Sequence, residues 1–97
     1  MLGVVRSDHS REHGEEGRPV REAFSEAQRA RSADVFVQPD GRYVVRGSRG
    51  REHIFEPDGE LVTSLVRSNA AHLRKLRSSG RRPITESEFS QFQETLL

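Results

Sequence analysis

Apolar positions in this chain recur at helical spacing near its start, alternate residue by residue in the middle, and return to helical spacing towards the end. Val20, Ala23, Phe24, Ala27 and Ala30 form a narrow stripe with Glu, Gln and Arg opposite. That pattern predicts a helix over 19–31, with Pro19 in the first turn where its missing N–H costs nothing. The middle of the chain says one phrase twice. Val35-Phe36-Val37-Gln38-Pro39-Asp40-Gly41-Arg42-Tyr43-Val44-Val45 returns as His53-Ile54-Phe55-Glu56-Pro57-Asp58-Gly59-Glu60-Leu61-Val62-Thr63. In each copy proline presets φ, aspartate accepts the turn, and glycine takes the left-handed position of a type I turn with a G1 bulge. Two tandem hairpins follow, giving an antiparallel meander with strands at 34–38, 42–46, 51–56 and 60–66.

Beyond the meander, Ser68 is a candidate N-cap and Gly80 a left-handed stop, with Ala70, Leu73 and Leu76 on one side between them. This predicts a helix over 68–79. Thr85 and Glu88 have the spacing of a capping box, and Ile84 can staple onto Phe89, so a last helix is expected over 86–96. The fold class is α+β: an N-terminal helix, a four-stranded antiparallel meander and two C-terminal helices. Residues 1–17 have mixed charge and no periodicity and read as a disordered tail before a single domain at 18–97.

Loop length assigns the faces. Gln38 should pair with Arg42, Glu56 with Glu60, and Arg46 with Arg51 across the 47–50 loop. One face then collects Val35, Val37, Tyr43, Val45, Ile54, Val62 and Val66, with Glu52 and Ser64 towards one end. The other collects Phe36, Val44, Phe55, Leu61 and Leu65 with Arg42, Arg46, Arg51, His53 and Thr63. A sheet apolar on both sides needs cover on both.

Composition sharpens this picture in three ways. Hydrophobic and charged residues each make up 32% of the chain, so the core is small and a partner or a second copy is a natural supplement. The chain has no cysteine, which removes disulfides, thiolate metal sites and thiol nucleophiles. His9 and His13 share a helical spacing but lack a third ligand, so no metal is expected, and no cofactor motif is present. No apolar run approaches the roughly 20 residues of a membrane span, and positions 1–6 are too short for a signal peptide. No membrane partner and a cytoplasmic location are therefore expected, although export by a dedicated machine would leave the same signature. Net charge is +1, yet positions 61–85 hold Arg67, Arg74, Lys75, Arg77, Arg81 and Arg82 and no acid.

The candidate chemistry lies on the second face. His53 is expected opposite Thr63, with Arg46 and Arg51 on neighbouring strands. Metal-independent RNA cleavage needs a group to move the 2′-hydroxyl proton and cations where phosphate charge builds. His53, Thr63, Arg46 and Arg51 are the catalytic candidates, and His72 is a second proton-transfer group. Arg42, Arg49, Arg67, Arg74, Lys75, Arg77, Arg81 and Arg82 are the nucleic-acid-binding candidates. The 47–50 loop offers backbone amides to an anion. The competing reading makes His53 a packed strand residue and the arginines solubilising.

The arrangement is similar to the small bacterial ribonuclease-toxin folds, the barnase, RelE-type and colicin ribonuclease group. The segment Arg51-Glu52-His53-Ile54-Phe55-Glu56-Pro57-Asp58-Gly59-Glu60-Leu61 resembles the strand-turn-strand pattern of the colicin-type domains. The resemblance implies RNA cleavage on one sheet face. In those families a carboxylate usually joins the histidine or arginine, whereas Glu52 is expected on the opposite face here. RelE-type toxins manage with basic residues alone. The leading expectation is a small RNA-binding domain, with metal-independent ribonuclease activity at His53. The alternative is a non-catalytic protein-interaction or dimerisation domain.

Overall fold

Each Pro-Asp-Gly segment closes a tight hairpin loop through its glycine. The Gly41 amide donates to the Gln38 carbonyl and the Gly59 amide to that of Glu56, both at 2.9 Å. Gly41 and Gly59 sit at φ 89° and 96°, where a side chain would be strained. The Asp40 and Asp58 carboxylates each accept a backbone N–H two residues on, at 3.0 Å. The structure is a computed structural model that describes residues 22–97. The tail expected over 1–17, with His9 and His13, and the first turn of the expected helix at 19–21 lie outside the described residues.

The fold is α+β, with three helices and an antiparallel sheet among the described residues. In chain order these are α1 (Ala23–Arg29), β1 (Val35–Val37), β2 (Tyr43–Arg46), β3 (Arg51–Phe55), β4 (Leu61–Val66), α2 (Asn69–Ser78), β5 (Arg82–Pro83) and α3 (Glu86–Thr95). The sheet has five strands rather than four, in the order β4-β3-β2-β1-β5. The added strand is two residues long and pairs with Phe36 and Val37. Pro83 has no amide to offer a neighbour, which suits an edge. No helix among the described residues is long and apolar enough to cross a membrane.

The caps form where the side chains predict them. Ser68 Oγ accepts the Ala71 amide at 3.1 Å. Thr85 and Glu88 exchange two bonds at 3.0 and 3.2 Å. These bonds satisfy amides that the first helical turn leaves unpaired.

The β1–β2 register pairs Val35 with Val45 and Val37 with Tyr43, but the next pair departs from expectation. Arg46 faces Glu52, not Arg51, and Val45 faces His53. The 47–50 loop takes up the extra residue with Arg49 and Gly50 both left-handed, at φ 59° and 78°, and the Gly47 amide closes on the Arg51 carbonyl at 2.8 Å. A second irregularity follows in the β3–β4 pair. Phe55 pairs with Leu61 and Ile54 with Thr63, so Val62 is an inserted bulge residue. Because side chains alternate, the one-residue shift exchanges the faces of β3.

Phe55, His53 and Leu61 therefore join Val35, Val37, Tyr43 and Val45 on the main core face, while Ile54 and Glu52 leave it. Helices α1 and α3 cover this face. Phe92 meets Tyr43 and Phe55 edge-on, with centroids 5.2 and 5.4 Å apart, and Phe24 meets Phe55 at 5.3 Å. The two helices also hold each other. The Gln28 amide donates to the Leu96 carbonyl at 2.7 Å and the Gln93 amide to the Ala27 carbonyl at 2.8 Å. On the opposite face Val44 and Ile54 are buried, and α2 packs His72 edge-on against Phe36 at 4.6 Å. Both faces of the sheet are covered.

Phe92→Ala should cost about 3–5 kcal/mol, since it removes a fully buried ring from the joint between α3 and the sheet. Leu73→Ala, at a position 41% exposed, should stay within about 0.5 kcal/mol of the parent. Urea denaturation of both variants checks the contrast, and equal costs would contradict the assignment of the core.

Candidate functional site

Arg51, Glu52 and His53 follow one another on β3, and alternation sends Glu52 to one side of the sheet and its neighbours to the other. Each side then builds its own polar cluster. On the α1 side, Glu26 sits on the helix stripe beside Ala23 and Ala27 and points into the sheet. Its carboxylate accepts from His53 Nε2 at 2.7 Å, from Arg51 Nε at 3.1 Å and from Arg51 Nη2, and from the Ser48 amide at 3.3 Å. Gly47 makes room for it. A Cβ there would lie 2.0 Å from Glu26 Oε1 and 2.5 Å from its carboxyl carbon. The other ring nitrogen of His53 lies 2.7 Å from Ser64 Oγ. Facing a carboxylate, Nε2 carries a proton and donates it in a hydrogen bond to Glu26.

Burial alone would raise the Glu26 carboxyl, but the bonds from Arg51, His53 and the Ser48 amide hold it down at about 2. For His53, burial outweighs the attraction of Glu26 and lowers the imidazole below its ordinary 6.5. Serine hydroxyl, imidazole and carboxylate in line have the connectivity of a nucleophilic relay. Here Ser64 and His53 are both 0% exposed. No substrate atom reaches the hydroxyl, and the chain of bonds instead ties α1 to β3 and β4.

On the α2 side the centre is Glu52, also 0% exposed. Three guanidiniums converge on it. Arg81 Nη1 lies 2.6 Å, Arg67 Nε 2.9 Å and Arg46 Nη1 3.1 Å from its oxygens. Burial would raise this carboxyl, and the bonds from Arg81 and Arg67 lower it. Arg81 Nη1 also donates to His72 Nδ1 at 2.9 Å, so His72 is a neutral acceptor. Its imidazole is lowered by burial and by the nearby Arg46 and Arg81 charges. Two buried polar atoms lack a hydrogen-bond partner among the described residues, Arg81 Nε and Thr63 Oγ1.

The residues expected to form one site are therefore divided. His53 and Arg51 belong to the Glu26 cluster, and Arg46 belongs to the Glu52 cluster with Arg67 and Arg81. Thr63 is opposite Ile54 and not His53. Arg42 binds Glu56 at 3.0 Å and Arg82 binds Glu88 at 2.9 Å. Arg74, Lys75 and Arg77 pair with no carboxylate among the described residues, and Arg49 sits exposed on its loop. A cleft of about 320 Å³ near the 47–50 loop is lined by Glu26, Arg29, Asp34 and Arg46 together with Ala30, Gly47 and Ser48. Its two acids and two bases balance. Among the described residues no group of three or more His, Asp or Glu side chains is placed to hold a metal ion.

Glu26, Ser64 and Glu52 were missed as partners of these bases. The signal was present for Glu26, because a carboxylate at the 23–27–30 stripe of an otherwise apolar helix face is a buried charge in need of a cation. Comparison with family models, curated proteins and solved structures gives no match. The functional reading rests on the geometry.

Two predictions come from the Glu26 cluster. Gly47→Ala should displace the carboxylate and cost about 3 kcal/mol, the scale of breaking a buried ion pair; a stability change below about 0.5 kcal/mol would contradict the close approach. Acid should weaken the fold in two stages. His53 and His72 protonate more easily unfolded, so stability is full above pH 6.5 and falls below it by up to about 1.4 kcal/mol per pH unit for each group. Glu26 contributes fully above its ordinary 4.5 and loses that contribution between pH 4.5 and about 2. Melting temperatures at pH 7.5, 5.5 and 3.5 check both stages, and a flat profile from 7.5 to 5.5 would rule out the neutral buried histidines.

Proposed function

We propose that this domain binds RNA through its phosphate backbone and does not cleave it. The observation that carries the reading is the set of exposed Arg74 and Arg77 and half-buried Lys75 on α2, without a carboxylate partner among the described residues, within a segment free of acids over positions 61–85. Arg67 and Arg49 continue the basic surface towards the end of the sheet, because the Arg67 amide is tied to the Gly50 carbonyl at 2.8 Å. The aromatic rings argue against base reading. Phe55, Phe92 and Tyr43 are in the core, Phe24 and Phe89 pack against it and Phe36 against His72, so the described residues offer no aromatic platform for stacking bases. Contacts of this kind are sequence-tolerant and sensitive to salt. Against cleavage stands the burial of His53 beneath α1. A cytoplasmic location accords with an RNA partner.

A second reading has its own observation. Val66 and Leu73 are 66% and 41% exposed, and both lie in the acid-free segment. They favour a protein-docking or dimer surface, held by apolar contact and indifferent to salt.

Fluorescence anisotropy with single-stranded RNA separates the two. Binding through three to five phosphates should weaken with salt with a log–log slope of about −2 to −4. Arg74→Glu with Arg77→Glu should lower affinity at least about tenfold, while the uncharged change Leu73→Ser leaves it unchanged. Intact RNA after prolonged incubation is expected. Cleavage lost in His53→Ala would instead restore the ribonuclease reading, and absence of salt-dependent binding would leave the docking surface.

A further inference from the structure

The Glu52 cluster is out of balance. Three guanidiniums share one carboxylate and His72 is neutral, so two positive charges are left without a counter-ion among the described residues. Glu52 occupies the inner donors and leaves outer ones free. Arg67 uses Nε for Glu52, and its side chain is 27% exposed with both terminal nitrogens unpaired among the described residues. Arg46 lies against Arg67, its Nη1 also donating to the Arg67 carbonyl at 2.9 Å. Behind them Arg81 keeps a buried Nε with no acceptor among the described residues.

The neighbouring loop adds an independent observation. Arg49 is held at φ 59°, ψ 33°, a left-handed conformation that disfavours every residue with a Cβ. It makes no ion pair among the described residues that would offset the strain. The loop that carries it is tied to the backbone of Arg67. A strained, unpaired arginine beside an undercompensated cluster is the arrangement of an anion site.

We infer that this end of the sheet is a seat for a terminal phosphate, a phosphomonoester on an oligonucleotide, gripped by Arg67, Arg46 and Arg49. Charge selects the ligand class. A phosphomonoester carries about −1.5 to −2 at neutral pH and offsets more of the three surplus charges, Arg49 included, than a backbone phosphodiester, which carries about half of that. Glu52 acts as a spacer that holds the guanidiniums in a fan and keeps them from repelling one another apart. The inference rests on the RNA-binding reading for the remainder of the ligand, while the seat itself recognises only the phosphate.

The test compares one single-stranded RNA with a 5′-phosphate or a 5′-hydroxyl, and inorganic phosphate alone, on the full chain. The 5′-phosphate should tighten binding about tenfold, the effect of one good charge-assisted contact, and Arg67→Gln should abolish the difference. Arg49→Gly should reduce the preference while raising the melting temperature by about 4 °C, since glycine relieves the strain. Equal affinity for both RNAs overturns the seat and leaves RNA binding intact. Phosphate-induced NMR shifts at the Arg67 and Arg49 guanidiniums with neither RNA bound keep the seat and remove the RNA reading. No response to any of the three ligands removes both. A lower melting temperature in Arg49→Gly overturns the strain argument, whatever the affinities.

Discussion

The structure depends on burying two titratable side chains, a carboxylate and a neutral imidazole, on adjacent residues of one strand. Glu52 and His53 are both withdrawn from solvent, and a buried polar group is costly unless fully paired. Each finds partners from distant parts of the chain. Glu26 on α1 meets His53 and Arg51, while Arg67 and Arg81, on either side of α2, meet Glu52. The strand therefore fastens a helix to each side of the sheet. A slip of β3 by one residue would turn Glu52 towards Glu26, setting two carboxylates together, and leave three arginines with only a histidine. Charge reinforces the register that the apolar contacts of Phe55 and Val45 already favour.

That same logic shows which parts of the fold were legible. The Pro-Asp-Gly hairpins, the Ser68 cap and the Thr85–Glu88 box are local, with donor and acceptor within four residues, and the residue types name the geometry directly. The 47–50 loop was misread because Arg49 occupies a left-handed position ordinarily marked by glycine or asparagine, so nothing in its chemistry signals an added residue. The bulge at Val62 and the strand Arg82–Pro83 are likewise products of tertiary pairing. Histidine and arginines were grouped as one site because like residue types cluster in catalytic patches. The acids that satisfy them lie far away in sequence, Glu26 being 27 positions from His53. Had the demand for a buried counter-charge been imposed on the meander, the correct face for His53 would have followed.

The division of the arginines is the feature that shapes function. Those near the sheet are drawn inward to Glu26 and Glu52, those at the hairpin end and at β5 are matched by Glu56 and Glu88, and α2 and the 47–50 loop keep cations for the outside. A small, polar chain thereby builds an interior from residues that would normally solvate its surface.

The reciprocal bonds of Gln28 and Gln93 carry a consequence for how the chain assembles. They join residues 68 and 66 positions apart, whereas each hairpin closes within a short stretch. Loop-closure entropy favours the short contacts first. The meander can zip up early, but α1 has no settled seat until α3 has crossed the sheet beside it. Until then the imidazole of His53 stands in water and Glu26 has no cation. The late docking of α1 is the step that withdraws both from solvent, so acidic conditions oppose the last act of assembly more than the first.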